Sequence, residues 1–170
     1  AVEVKSLKPR GKILMDFKQV PINANTVVTV KCDGEFEVIE YDGHEAIMYN
    51  QWGRERNYLV CLEELSQKLG KQNIKSVRLH GECYAVDGER MLRLPEAMSI
   101  LKSGAPEQQT QHLRLGVFDV DRLNGHQITD SYQWKLGELS EWLGTISPDA
   151  GSYIVPYVFP KSHAEIQEFW

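Results

Sequence analysis

"NTVVTVKCDGEFEVIEYDGHEAIMYN", residues 25 to 50, decides how the rest of the chain is read. "NTVVTVK" (25 to 31), "EFEVIEY" (35 to 41) and "EAIMYN" (45 to 50) are rich in β-branched and aromatic residues with partial period-two alternation. That pattern predicts successive antiparallel strands, the last two joined at Asp42-Gly43. Lys31, two residues before Asp33-Gly34, is then either a nucleophile on a loop or a bystander at one more hairpin turn. Asp-Gly recurs at Asp42-Gly43 and Asp87-Gly88, so the turn is the simpler local reading.

Working outward, "NYLVCLEELSQKLG" (57 to 70) changes to helical spacing, with Leu59, Leu62, Leu65 and Leu69 on one face and Gly70 as a stop. A strand follows at 76 to 86, a turn at Asp87-Gly88, a short helix at 95 to 103, and a polar loop at 103 to 111. "LRLGVFDVDRL" (113 to 123) reads as a strand turning at Asn124-Gly125, 131 to 144 as a helix, 152 to 160 as extended and 161 to 170 as a helix. Strands come first and helices fall at irregular intervals. The expected fold is therefore α+β, with antiparallel β-sheets and flanking helices, rather than a doubly wound parallel sheet. The last helix ends on Phe169-Trp170 without a stop residue, which suggests a chain cut in mid-element.

At 170 residues the chain suits one domain or most of one, and a hydrophobic share of 42% with a charged share of 25% is ordinary for a globular protein. No apolar run is long enough to span a bilayer and the N-terminus has no apolar signal core, so a soluble protein without membrane contact is expected. Cys32, Cys61 and Cys83 are odd in number and form no CxxC pair, which fits a reducing cytoplasm better than a disulfide framework or a zinc site. The five histidines show no metal-ligand spacing. A net charge of -5 predicts weak nucleic-acid binding by this chain alone, because such binding rests on lysine and arginine neutralising phosphates.

The chemical sense of "KCDG" is specific. A lysine amine attacks phosphorus only when neutral, Gly34 would let the backbone approach a phosphate, and Asp33 could orient the amine or a metal-bound water. A Lys-x-Asp-Gly match arises by chance in roughly one chain in twenty-five of this size, so the motif needs company.

"KCDGEF" resembles the first motif of the covalent nucleotidyltransferases: ATP-dependent DNA ligases, RNA ligases and mRNA capping enzymes. "NQWGRERNYL" (50 to 59), "LHGECYAVDGE" (79 to 89) and "LRLGVFDV" (113 to 120) resemble the next motifs of that superfamily, in order. The resemblance is greatest to ATP-dependent DNA ligases. It implies their nucleotidyltransferase fold and a reaction in which Lys31 takes AMP from ATP, with Mg2+ shielding the phosphates. The AMP then passes to the 5'-phosphate of nicked DNA and is displaced by the 3'-hydroxyl. Under the same resemblance Glu82 binds the ribose hydroxyls and Phe118 stacks on adenine, although "LRLGVFDV" taken alone reads as a buried strand. Thr29, Val30, Asp33 and Gly34 join them as nucleotide-binding residues; no metal ligand is assigned. Arg54 could hold a phosphate, or be a solvated turn arginine, since the family arginine aligns on Gln51.

Two positions depart from the ligase pattern. Thr29 stands where a glutamate is usual, leaving the base contact to the backbone or the hydroxyl, and Phe36 stands where an arginine is usual, removing one cation from the nucleotide site. The family's later Glu-Gly and Lys-x-Lys motifs and its OB-fold domain have no counterpart before Trp170. The expectation is therefore a partial adenylation domain over 1 to 170, inactive or incomplete alone, within a parent ligase. An RNA ligase, a guanylyltransferase and a non-catalytic nucleotide-binding or scaffold module remain the alternatives.

Overall fold

A computed structural model describes residues 6–8, 16–56, 60–103, 105–144 and 151–169. The first half runs β1 (Val28–Thr29), β2 (Gly34–Tyr41), β3 (Ala46–Asn50), β4 (Glu55–Arg56), α1 (Val60–Gly70), β5 (Val77–Asp87) and β6 (Arg90–Met91). The second runs α2 (Leu94–Ser103), α3 (Pro106–His112), β7 (Leu113–Leu123), β8 (His126–Gln127), α4 (Tyr132–Leu143), β9 (Gly151–Ile154), β10 (Tyr157–Val158) and α5 (His163–Phe169). The large sheet has the order β4-β3-β2-β5-β7-β8, with β6 also paired to β5 and β9 to β7. No helix among the described residues is long and apolar enough to cross a membrane.

Period-two alternation gives this sheet an apolar inner face. Ile39, Met48, Leu79, Leu115 and Val117 point inward and meet Leu65 and Leu69 of α1 and Leu136 and Leu139 of α4, all fully buried. Helical spacing puts the α1 residues on one stripe, as read, except that Leu59 lies outside the described residues. Ser131 caps α4 by accepting from the Trp134 N–H at 3.2 Å. Asn124 and Gly125 both have positive φ (51° and 83°), the conformation of a two-residue hairpin.

Three expectations are corrected. The stretch 25 to 31 is not the neighbour of β2: only Val28–Thr29 is strand, and it pairs with Tyr157–Val158 in a separate two-stranded sheet. That pairing joins segments far apart in sequence, which no local pattern reports. The large sheet is not wholly antiparallel, because β9 runs parallel to β7, reached through the crossover helix α4. The predicted loop at 103 to 111 contains α3. Pro106 starts that helix with its φ already set, and Gln109, only 2% exposed, accepts from the Val60 N–H at the start of α1.

Candidate functional site

Lys31 lies where the chain passes from the small sheet to the large one. The Val30 N–H donates to the Pro156 carbonyl at 3.0 Å, fixing the residue before Lys31 to the C-terminal part of the chain. Cys32 then turns into a small apolar cluster with Tyr84 and Val155, on the face of the sheet opposite the helices. Gly116 makes room for that cluster, since a Cβ there would stand 2.9 Å from Val155 Cγ1 and 3.5 Å from Cys32 Sγ.

Asp33-Gly34 is not a hairpin turn. Gly34 is the first residue of β2, and its backbone crosses β5 so closely that a Cβ would lie 2.0 Å from the Cys83 carbonyl oxygen. Strand approach alone requires a glycine here. The Asp33 carboxylate accepts from the Leu94 N–H (3.2 Å) at the start of α2, and the Asp33 N–H meets Met91 Sδ (3.2 Å).

The exposed Lys31 borders two cavities of about 210 and 130 Å3, which share Thr29, Val30 and Lys31 as a wall. The larger is faced by Phe36, Phe118 and Glu82; the smaller is closed by Phe169 of α5. Phe36 and Phe118 stand side by side, their ring centroids 6.1 Å apart and inclined at 41°. Phe36 pairs with Glu82 across the β2 and β5 ladder, placing carboxylate and aromatic wall together.

Phe118 owes its position to a β-bulge. His80 pairs with Asp119 and Gly81 with Val117, so Phe118 between them has no partner on β5, and a second shift leaves Asp121 unpaired in the same way. The hydroxyl of Tyr132, on the first turn of α4, donates to the Phe118 carbonyl and satisfies the group that the bulge takes out of the ladder.

Burial raises the Glu82 carboxyl above its ordinary value, and the ammonium groups of Lys8 and Lys31 act against that rise. Lys8 is the site residue that sequence reasoning missed. Its segment is held at the turn after β3, where Leu7 N–H donates to the Gln51 carbonyl (2.7 Å) and Ser6 Oγ to Gln51 Oε1 (3.1 Å). No local pattern in "SLKPRGK" signals this long-range contact.

Cys32, beside Lys31, is no rival nucleophile. Burial, and then the Glu82 carboxylate, push its thiol up to about 12, so it is protonated at neutral pH. Arg54 is exposed on the turn between β3 and β4, its N–H bonded to Asn50 Oδ1 at 2.9 Å, and it lines neither cavity. Asp33 and Gly34 line neither as well. The fold thus gathers Thr29, Val30, Lys31, Glu82 and Phe118, adds Lys8 and Phe36, and leaves Asp33, Gly34 and Arg54 outside.

Beyond Phe36 the same face continues to His80, edge-on to that ring at 5.7 Å, beside a hollow of about 300 Å3. There His80 Nε2 lies 3.1 Å from Asp121, and Asp121 holds Arg78 at 2.7 Å. Among the described residues no group of three or more His, Cys, Asp or Glu side chains could hold a metal ion, and Glu82 is the one carboxylate on the Lys31 cavity. The described residues therefore do not form a resident divalent-metal site. An exposed amine at the mouth of a slot with aromatic walls and one carboxylate is equipped to hold a flat, hydroxyl-bearing ligand and attack an electrophile at its edge.

Two solved structures resemble the chain over 84% of its length. One is a mycobacterial DNA ligase D complexed with ATP and MES, at TM-score 0.55 and 17% identity. The other is the ligase domain of M. tuberculosis LigD, at TM-score 0.52 and 16% identity. The chain spans 44% of the length of each. No protein-family model and no curated protein matches it. The chain thus shares its fold, a mixed α/β arrangement on a mainly antiparallel sheet, with a DNA ligase domain.

Proposed function

We propose that this chain is the nucleotide-binding part of the adenylation domain of an ATP-dependent DNA ligase, with Lys31 as the residue that takes up AMP. The observation that carries the reading is the convergence of Lys31, Glu82 and the Phe36-Phe118 pair on one cavity. The fold shared with a DNA ligase solved with ATP supports it.

Adenine lies against Phe118 and Phe36, Thr29 and Val30 wall the same space, and Glu82 accepts hydrogen bonds from the ribose hydroxyls. The neutral amine of Lys31 attacks the α-phosphorus. A nitrogen–phosphorus bond forms, the bond to pyrophosphate breaks, and the amine proton leaves to solvent. The AMP then moves to the 5'-phosphate of nicked DNA, and the 3'-hydroxyl expels it to close the strand. Magnesium would accompany the triphosphate as its counter-ion and shield its charge, and Glu82 is the one carboxylate in the cavity lining. Asp33, whose carboxylate caps α2, and Arg54 have no part in this scheme.

The test is intact-mass measurement of the full-length protein after incubation with ATP and magnesium. One added AMP is expected, lost in Lys31→Ala and not replaced by GMP when GTP is supplied. An adduct that survives Lys31→Ala, or none in the unsubstituted protein, overturns the proposal.

A further inference from the structure

We infer that Lys8 is the second cation of this nucleotide site, contacting a phosphate of the bound triphosphate, and that Gln51 is the residue that positions it. The inference rests on the nucleotide-site reading above and adds a residue from outside every recognised motif.

The cavity beside Lys31 must accommodate several negative charges if a triphosphate enters it, and Glu82 adds another. Its lining holds two cations, Lys31 and Lys8, and Lys31 is committed to bond formation. Phe36, where the resembling ligases carry an arginine, supplies none. Lys8 is exposed and makes no salt bridge among the described residues, so its ammonium group is available to a phosphate. Lys8 and Lys31 both lower the carboxyl of the half-buried Glu82, so the charge of Lys8 lies within electrostatic reach of the same cavity wall.

Gln51 explains how a residue more than twenty positions before Lys31 reaches the site. Its carbonyl and its side-chain amide oxygen both accept hydrogen bonds from the segment that carries Lys8. The position where the resembling motif has an arginine is therefore used to import a lysine from elsewhere. Thr29, Val30 and Glu82 line the same cavity as that lysine.

The experiment measures the affinity of the full-length protein for ATP, AMP and adenosine by calorimetry without magnesium, for the unsubstituted protein and for Lys8→Ala, Lys8→Arg and Gln51→Ala, with far-UV circular dichroism as the folding control. Loss of a charge-assisted phosphate contact predicts about tenfold weaker ATP binding for Lys8→Ala, a smaller loss for AMP and none for adenosine. Lys8→Arg should keep ATP affinity within about threefold. Gln51→Ala should show the Lys8→Ala pattern in weaker form, with the phosphate dependence that a mere packing defect lacks. Equal losses for ATP and adenosine, or no loss in Lys8→Ala, refute the assignment while leaving the nucleotide site standing. Absence of ATP binding by the folded, unsubstituted full-length protein removes both.

Discussion

Gly34→Ala tests whether the approach to Lys31 is governed by strand crossing. The added Cβ would stand 2.0 Å from the Cys83 carbonyl oxygen, 2.7 Å from its carbon and 3.0 Å from Tyr84 Cα. Real contacts below 3.0 Å essentially do not occur, so β2 or β5 must retreat by about 1 Å. All the obstructing atoms are backbone, and no flexible side chain can swing away. Separation at that point opens the β2 and β5 ladder where Gly34 faces Tyr84. Overpacking of about 1–3 kcal/mol and a lost ladder bond of about 1 kcal/mol sum to about 3 kcal/mol.

For a domain of this size each kcal/mol shifts Tm by roughly 2–4 °C, so a fall of about 6–12 °C is expected in thermal unfolding followed by circular dichroism. Gly137→Ala is the matched control. Gly137 is exposed within α4, with nothing within 4 Å of its Cβ position, and alanine there should stabilise by about 0.5–1 kcal/mol. A Gly34→Ala variant that melts within about 2 °C of the parent refutes the reasoning, because β2 would then have room the geometry denies.

Two further outcomes are expected. Burial first, and then the neighbouring Glu35 carboxylate, raise the fully buried Glu37 from 4.5 to about 10. The folded state therefore keeps a proton that the unfolded chain releases, and this group's contribution to stability is complete below pH 4.5 and drains away as pH rises towards 10. Urea midpoints at pH 5 and pH 9 should show Glu37→Gln gaining on the parent as pH rises, and parallel profiles would count against it. Tyr132→Phe should cost about 1–3 kcal/mol by leaving the Phe118 carbonyl without its donor, and it should weaken adenosine binding, whereas an unchanged urea midpoint would show that the bulge needs no such partner.

The parts of this molecule that repeat locally were legible in its sequence. Period-two alternation located β2, β3, β5 and β7, and helical spacing located α1 and α4, because each needs only its own side chains to define a buried face. What depends on distant partners was not legible. α3 is polar throughout, and its anchor is the contact of Gln109 with the start of α1. β1 is strand only because β10 returns to it. At the site, Lys31, Glu82 and Phe118 came from motif order, whereas Lys8 depends on Gln51, over forty residues away. Gly34 was read as a glycine for phosphate approach, and the close contact found there is with Cys83.

The division of labour between the two faces of β5 explains why core and site can coexist in so small a sheet. Leu79, Cys83 and Ala85 fill the inner core, while His80, Glu82 and Tyr84 face the other side. A strict ladder would tie both faces to one register, and a slip of one residue would exchange them. β7 relaxes this tie at Phe118 and Asp121, the two positions without a partner on β5. The bulge at Phe118 lets Leu115, Val117 and Val120 all stay fully buried, although Val117 and Val120 are an odd number of residues apart. The residues released are an aromatic at the Lys31 cavity and an aspartate that holds His80 and Arg78. The irregularities in the sheet thus lie where it turns from packing to ligand contact, and the Tyr132 hydroxyl bond to Phe118 couples α4 to that wall.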